Sequence, residues 1–429
     1  MTEIRVPGDK SIAHRFLILA ALAEGDSVLS GMPAALDVRS TAACLRALGG
    51  TVEDGGAGRM AIKGSTGWRS PTSGLDCGNS GTTARLLTGL VAGLGLDAEL
   101  RGDESLSRRP MDRVVYPLQA MGARVRYTDR RGHLPLRIEG RASGGLRALR
   151  YRPRISSAQV RAALLLAGLT SRTDVEIEDR FRPRDHTERI LRSQGAPIIS
   201  EPEGAGERIR FPASSWSGGL KPLAAAVPGD LSSAAFLIVA ALLSGTDLTL
   251  RGVGLNPTRT GFLDVLSEMG ARVKTEQTGV QAGEPVGDIS VIASTMQPFS
   301  IEEAVVPRLV DEIPALAVLA SRIPGVSVVR GAGDLRMKES DRLAFLAFNL
   351  STLGVRCEEL TDGLRVHGSQ APVTGFVRTG GDHRIAMAFG ALGVAPGCHV
   401  TVDDPQCADV SFPGYWEALK QVTTGEDSR

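Results

Sequence analysis

The sequence predicts an α/β (α+β) chain of regular repeats arranged in two domains, and three observations predict it. The first is a duplication: VPGDKSIAHRFLILAALAEG at 6–25 returns at 227–245 as VPGDLSSAAFLIVAALLSG, one residue shorter. The second is a longer rhythm, in which a Gly or Ser, a capping residue, an apolar helix pattern and a β-branched run follow one another. That pattern starts near GDKSIAHR, GNSGTTAR, SSAQVRAA, GDLSSAAF, VDEIPALA and GDHRIAMA, at intervals of roughly 70 to 80 residues. The third is an alternating piece, LRALGGTV, LQAMGARV, LRSQGAPI, LSEMGARV and LSTLGVRC, where a helix stops at glycine and a strand begins.

Taken in order, each unit reads helix, strand, helix, strand, which defines the α/β or α+β class. The spacing of the duplication gives three units per domain. The five glycine-stop pieces fall one short of the six helix starts. A circular arrangement accounts for this if the N-terminal strand completes the last unit and the domains exchange a strand near residue 228. The expected domains are 10–228, and 1–9 joined to 229–429.

Length and composition set the class of protein. A chain of 429 residues with 42% hydrophobic and 23% charged residues can bury large cores. Disorder is expected only in the tail TTGEDSR. With 49 Lys plus Arg against 48 Asp plus Glu, the formal net charge is +1, so no global field recruits nucleic acid or an anionic membrane. The cysteines Cys44, Cys77, Cys357, Cys398 and Cys407 form no CxxC pair and have no histidine at zinc spacing, as expected of free thiols in a cytoplasmic protein. Runs such as FLILAALA fall far below the ~20 residues of a membrane span, and no apolar leader precedes Lys10.

The two copies of the duplication share apolar letters and differ in charge. Lys10, His14 and Arg15 of the first copy give way to Leu231 and Ala235 in the second, with one position skipped. A helix N-terminus carries unpaired N–H groups and a partial positive charge, so cations there are poorly placed for stability and well placed for an anion. Lys10 and Arg384 both stand in such first turns. The turn Asn79-Ser80-Gly81-Thr82-Thr83 offers hydroxyls and close backbone approach at a third start, though such turns often only cap. Arg108 and Arg109 lie in GDESLSRRPMDR, a stretch that reads as a loop too polar to be core. SSAQ at 156–159, with Ser156 as a cap, and RDHTER at 184–189 supply further donors. Asp311 and Glu312 open one helix, and RMKESDR at 336–342 opens the next, so Glu339 and Arg342 are spaced as an exposed ion pair on one helix face. Lys338 beside Glu339 could carry protons if its surroundings tune it. Lys10, Arg15, Arg109, Arg184, Lys338, Arg342 and Arg384 are thus candidate anion binders, with Asp311 and Glu339 as candidate acid and base. That set suits two polyanionic substrates.

VPGDKSIAHR, GNSGTTAR, SRRPM, SAQVRAALLLAGL, RDHTER, RMKESDRL and GDHRIAMAF, in this order, closely resemble the 5-enolpyruvylshikimate-3-phosphate synthase family, in its class II bacterial form. The likeness runs from about residue 4 to SFPGYWEAL near 419. It implies two domains of three βαβαββ units, an inside-out α/β barrel with the active site in the cleft between the halves. The implied reaction moves the enolpyruvyl group of phosphoenolpyruvate to the 5-hydroxyl of shikimate 3-phosphate, in the shikimate pathway to chorismate and aromatic amino acids. No metal or organic cofactor is implied, and a monomer is expected. Carried over, Lys10, Ser11, Arg15, Ser157, Ala158, Gln159, Arg184, Asp311 and Lys338 would hold shikimate 3-phosphate. Lys10, Gly81, Arg109, Gln159, Arg342 and Arg384 would hold phosphoenolpyruvate. Asp311 would take the hydroxyl proton, and Glu339, with Lys338 near, would serve the methylene carbon.

Two details bear on this transfer. Val410 stands where class I members have a lysine, just before Ser411-Phe412-Pro413. Gly81 stands where glyphosate-tolerant members can carry alanine, so glyphosate is an expected inhibitor. Rival readings are a UDP-N-acetylglucosamine enolpyruvyl transferase, whose mobile loop bears a cysteine that this chain lacks between Cys77 and Cys357, and a phosphate- or RNA-binding repeat protein. Near-zero net charge and four tyrosines argue against nucleic acid.

Overall fold

The computed structural model describes residues 2–64, 67–140 and 145–424; Gly425–Arg429 of the tail lie outside the described residues. The chain divides into two compact units. One, here the amino-terminal unit, is Lys10–Val227 with Gln281–Glu284. The other, the carboxy-terminal unit, comprises the segment ending at Asp9, Pro228–Val280 and the segment from Pro285 onward.

The amino-terminal unit holds three four-stranded sheets of one design. In each, a short first strand runs parallel to a second and an antiparallel hairpin completes the sheet, and in the second and third sheets a helical crossover joins the parallel pair. The strand orders are Ala224–Ala226, Asp26–Ser30, Arg59–Lys63, Thr51–Gly56; then Leu75–Asp76, Ala98–Arg101, Leu136–Glu139, Arg124–Tyr127; then Leu149–Tyr151, Val175–Asp179, Gly206–Phe211, Ile199–Glu203. Their inward faces and the helices Lys10–Ala21, Gly81–Leu94 and Ala158–Ser171 share a single core. These helices are buried nearly all round, which explains why they read as almost unbroken apolar runs. Two of them touch backbone to backbone: a Cβ on Gly89 would lie 2.0 Å from the Ala163 carbonyl oxygen, so only glycine fits there.

The carboxy-terminal unit repeats the design around a separate core. Its orders are Thr2–Ile4, Leu248–Gly254, Glu284–Ile292, Arg272–Gln281, and Ser300–Ile301, Gly325–Val329, Gly363–Gly368, Cys357–Leu360. The third sheet has two strands among the described residues, Thr374–Val377 and His399–Val402. Here the sequence expectation is corrected. Thr2–Ile4 does not complete this last unit; it pairs in parallel with Leu248–Gly254 of the fourth. After His399–Val402 the chain forms the helix Tyr415–Thr424, which packs on the helix Leu231–Ser244 instead of making a hairpin.

Each copy of the duplication is split between units. Thr2–Ile4 belongs to the carboxy-terminal unit, but the helix Lys10–Ala21 that follows it belongs to the other. Conversely, Ala224–Ala226 pairs with Asp26–Ser30, while the helix Leu231–Ser244 that follows it lies in the carboxy-terminal unit. The VPGD tetrapeptides themselves pair. Asp9 donates its N–H to Pro228 O at 2.7 Å, Asp230 donates to Pro7 O at 2.8 Å, and Gly8 bridges Gly229 antiparallel.

The helix-stop pieces behave as their glycines predict. Gly49, Gly122, Gly195, Gly270 and Gly354 all adopt positive φ, between 81° and 98°, where a side chain would be strained.

Candidate active site

In the amino-terminal unit the repeated helix starts carry a cation-rich cluster. Helix Lys10–Ala21 opens on Lys10, whose Nζ meets Asp37 Oδ2 at 2.8 Å. Arg15, one turn on and buried, donates Nη1 to Ser11 O at 2.8 Å and Nε to Thr187 Oγ1 at 2.7 Å. Thr187 lies in the RDHTER motif, so this bond ties the first helix start to the helix His186–Ser193. Arg184 sits just ahead of that helix, half-buried.

Gly81 begins the helix Gly81–Leu94 behind the Ser80 N-cap, whose Oγ accepts Thr83 N at 3.0 Å. Arg85 on that helix donates Nη1 to Gln159 Oε1 at 2.6 Å, and Gln159 Nε2 donates to Thr82 Oγ1 at 2.9 Å. Arg109 is buried and donates Nη2 to Asn79 Oδ1 at 2.5 Å and to Ser105 Oγ at 3.2 Å. The polar-loop expectation for 102–113 is therefore corrected: Glu104–Ser107 is a short helix that seats Leu106 in the core, with Met111 buried beyond it, and only Arg108 of the arginine pair faces solvent. Ser157, not Ser156, stands at the N-cap of Ala158–Ser171, without a side-chain cap bond. Ser156 Oγ accepts Phe181 N at 3.2 Å.

Beneath these groups Arg161 is 1% exposed and meets three carboxylates: Glu188 at 2.5 Å, Glu207 at 2.7 Å and Asp179 at 3.6 Å. Burial pushes the Asp179 carboxyl up to about 6, although Arg161 pulls the other way. Neither Arg85 nor this cluster was foreseen as functional from sequence.

In the carboxy-terminal unit a second cluster centres on Asp311, just before the helix Ile313–Ala320. Its Oδ1 lies 3.2 Å from Lys338 Nζ and 3.4 Å from Arg342 Nη1, and its backbone oxygen accepts Arg384 Nη1 at 2.9 Å. Arg342 further pairs with Glu339 Oε2 at 2.6 Å and with Asp382. The geometry corrects the helical reading of RMKESDR. The helix begins at Arg342 behind an Asp341 N-cap, so Glu339 lies outside it, and Arg342 is 1% exposed rather than a surface partner. The cause is the Asp341 side chain, which accepts Ala344 N at 3.0 Å and so starts the helix three residues late. Asp382 caps the helix His383–Gly393 through Arg384 N at 2.9 Å. Val410 ends the 3-10 helix Pro405–Val410.

Each cluster therefore fixes several cations at helix starts, the arrangement needed to hold phosphates and carboxylates in a defined orientation. Lys338 and Glu339 remain partly open to solvent, at 30% and 24% of their side-chain surface, so a ligand can reach both. Among the described residues no group of three or more His, Cys, Asp or Glu side chains is placed to hold a metal ion. No described helix is long and apolar enough to cross a membrane. The five cysteines are free thiols, and burial pushes Cys357 and Cys407 up to about 12.

Sheets of one repeated order with cations at the helix starts define an enolpyruvyl transferase fold. The enolpyruvyl transferase NikO of Streptomyces tendae superposes with a TM-score of 0.75 at 19% identity, over 98% of this chain and 94% of its own. The chain belongs to the EPSP synthase (3-phosphoshikimate 1-carboxyvinyltransferase) family, whose profile matches residues 1–419. The 3-phosphoshikimate 1-carboxyvinyltransferases of Synechococcus sp. (strain RCC307) and Thermus thermophilus are each 45% identical over 98% of this chain and 96% of theirs. The EPSP synthase of Acinetobacter baumannii superposes with a TM-score of 0.84 at 36% identity, over 98% of this chain and 95% of its own.

Proposed function

We propose that this chain transfers the enolpyruvyl group of phosphoenolpyruvate to the 5-hydroxyl of shikimate 3-phosphate and releases phosphate. Membership of the family supports the reaction. The observation that carries the assignment of roles is Asp311, a carboxylate with Lys338, Arg342 and Arg384 all within 4.0 Å. A carboxylate with three cations around it stands beside the groups that would draw in an anionic substrate.

Lys10, Ser11, Arg15, Ser157, Ala158, Gln159, Arg184, Asp311 and Lys338 hold shikimate 3-phosphate. Lys10, Gly81, Arg109, Gln159, Arg342 and Arg384 hold phosphoenolpyruvate. In the addition step the 5-hydroxyl oxygen bonds to C2 of phosphoenolpyruvate while Asp311 takes the hydroxyl proton and Glu339, with Lys338 beside it, protonates C3. In the elimination step C3 returns a proton to Glu339, the double bond reforms and phosphate leaves. Fixing two phosphates and two carboxylates side by side supplies the orientation and charge balance that the reaction lacks in water. Glyphosate competes with phosphoenolpyruvate, and the protein acts as a monomer in the cytoplasm.

The test is phosphate release from phosphoenolpyruvate with shikimate 3-phosphate as acceptor, against UDP-N-acetylglucosamine as control. Turnover with the first acceptor alone is expected; turnover with neither, or only with the second, overturns the reading.

A further inference from the structure

Behind the Asp311 cluster lies a second buried guanidinium that the proposed mechanism does not use. Arg259 follows the Asn256-Pro257-Thr258 turn and is 2% exposed. Its Nη2 donates to Ser232 Oγ at 2.8 Å and to Asp230 Oδ1 at 3.3 Å, and lies 3.8 Å from Asp9 Oδ2. Its Nη1 lies 3.5 Å from Glu312 Oε1, the atom to which Ser232 Oγ also donates. One guanidinium therefore stands among three buried carboxylates, which are 3%, 7% and 0% exposed for Asp9, Asp230 and Glu312.

Their positions along the chain give this arrangement its meaning. Asp9 immediately precedes Lys10, Glu312 immediately follows Asp311, and Asp230 caps the helix Leu231–Ser244 through Ser232 N at 2.9 Å. We infer that Arg259 is a positioning residue of the transferase reaction, fixing Lys10 and Asp311 by gripping the carboxylates Asp9 and Glu312 that adjoin them in the chain. The inference rests on the roles proposed above for Lys10 and Asp311. Without the guanidinium, three carboxylates within reach of one another repel, and each must move or take up a proton. Their backbones carry Lys10 and Asp311 with them, and misplacement of a reacting group by about 1 Å is enough to cost on the order of 100-fold in rate. Burial and the neighbouring Asp9 already push the Asp230 carboxyl up to about 6, in keeping with a carboxylate excess that Arg259 only partly offsets.

Arg259→Ala and Arg259→Lys, compared with wild type, Lys10→Ala and Asp311→Asn in the phosphate-release assay, test this. For folded Arg259→Ala, kcat is expected to fall on the order of 100-fold, and added guanidinium at sub-denaturing concentration should restore at least about tenfold of it while leaving wild type unchanged. Arg259→Lys, which keeps the charge without the fork, should fall between the two. The inference is overturned if folded Arg259→Ala keeps kcat within about threefold of wild type. It is equally overturned if guanidinium restores nothing and the lysine variant is as slow as the alanine one. Where Arg259→Ala does not fold, Arg259→Lys decides alone: a lowered kcat at near-native melting temperature supports the role, and an unchanged kcat removes it. If instead Lys10→Ala and Asp311→Asn both turn over normally, the roles of those residues fail whatever Arg259 does.

Discussion

Arg342 grips Asp382 with two nitrogens, Nε to Oδ2 at 2.8 Å and Nη2 to Oδ1 at 3.2 Å. The same carboxylate accepts Ser340 Oγ at 2.9 Å and caps the helix that presents Arg384. Burial alone would raise the Asp382 carboxyl; the Arg342 charge and hydrogen bond together with His383 offset it and hold the group below its ordinary range. Asp382 is thus an ionised anchor that sets the direction of two proposed phosphoenolpyruvate ligands.

Asp382→Asn keeps the shape and removes the charge. It is expected to lower kcat/KM for phosphoenolpyruvate on the order of 100-fold, because a half-satisfied guanidinium is free to swing toward Glu339. Arg342→Lys should be no milder, since a single ammonium cannot reproduce the two-point grip. Steady-state kinetics with phosphoenolpyruvate varied would check both; less than a fivefold change in either would contradict the anchoring role.

Gly81 offers a second test. A Cβ built there lies 2.8 Å from Arg85 Nη1 and 3.6 Å from Arg109 Nη1. The first distance is too short, so the Arg85 head must shift and its bond to Gln159 must loosen, while Arg109 would be met at ordinary contact distance. Wild type is expected to be inhibited by glyphosate in competition with phosphoenolpyruvate. Gly81→Ala should raise the inhibitor constant at least about tenfold and KM for phosphoenolpyruvate by less, if the added methyl crowds the inhibitor more than the substrate. Equal changes in both constants would show that the methyl does not discriminate.

Asp311→Asn and Glu339→Gln separate the two proton transfers. Each removes one acid or base without changing side-chain size, and each is expected to lower kcat by ~100-fold or more. Glu339→Gln should also block solvent deuterium uptake at the methylene carbon of phosphoenolpyruvate, which Asp311→Asn should leave measurable. Near wild-type turnover in either variant would contradict its assigned step.

What the sequence disclosed, and what it hid, follows from the range of the interactions. The cations Lys10 and Arg384 were legible because each stands at a helix start, where the fold gains nothing from a positive charge, and Arg109 because it is one of two arginines in a stretch too polar to read as core. The second copy of the duplication served as the control, carrying Leu231 where the first carries Lys10. The carboxylates beneath were hidden. Asp9, Asp230 and Asp382 read as ordinary capping residues, and only the three-dimensional pairing with Arg259 and Arg342 gives them a second task. Arg161 lies inside an apolar helical run and finds its partners 18, 27 and 46 residues away, a separation without local signature. The late start of the helix at Arg342 was misread for a related reason. The spacing of Glu339 and Arg342 fits a helix face, yet the side chain of Asp341 between them closes the cap.

Arg161 and its acids carry the last prediction, which concerns stability against pH. Asp179, Glu188 and Glu207 face one guanidinium in the amino-terminal unit, on the helix whose start is proposed to bind substrate. Burial raises both Asp179, to about 6, and Glu188. An unfolded aspartate titrates near 3.9, so between about pH 4 and pH 6 the folded chain holds more protons at Asp179 than the unfolded one. Stability from this group is therefore greatest below that window and falls as pH rises through it, the reverse of an aspartate whose pKa is lowered by a salt bridge. Asp179→Asn abolishes the titration while leaving Arg161 with Glu188 and Glu207. Relative to wild type the variant should gain about 2 kcal/mol between pH 4.5 and pH 7, whatever its absolute stability. Urea unfolding of both proteins at the two pH values would measure the difference; a gap that stays constant would show that Asp179 keeps its charge throughout.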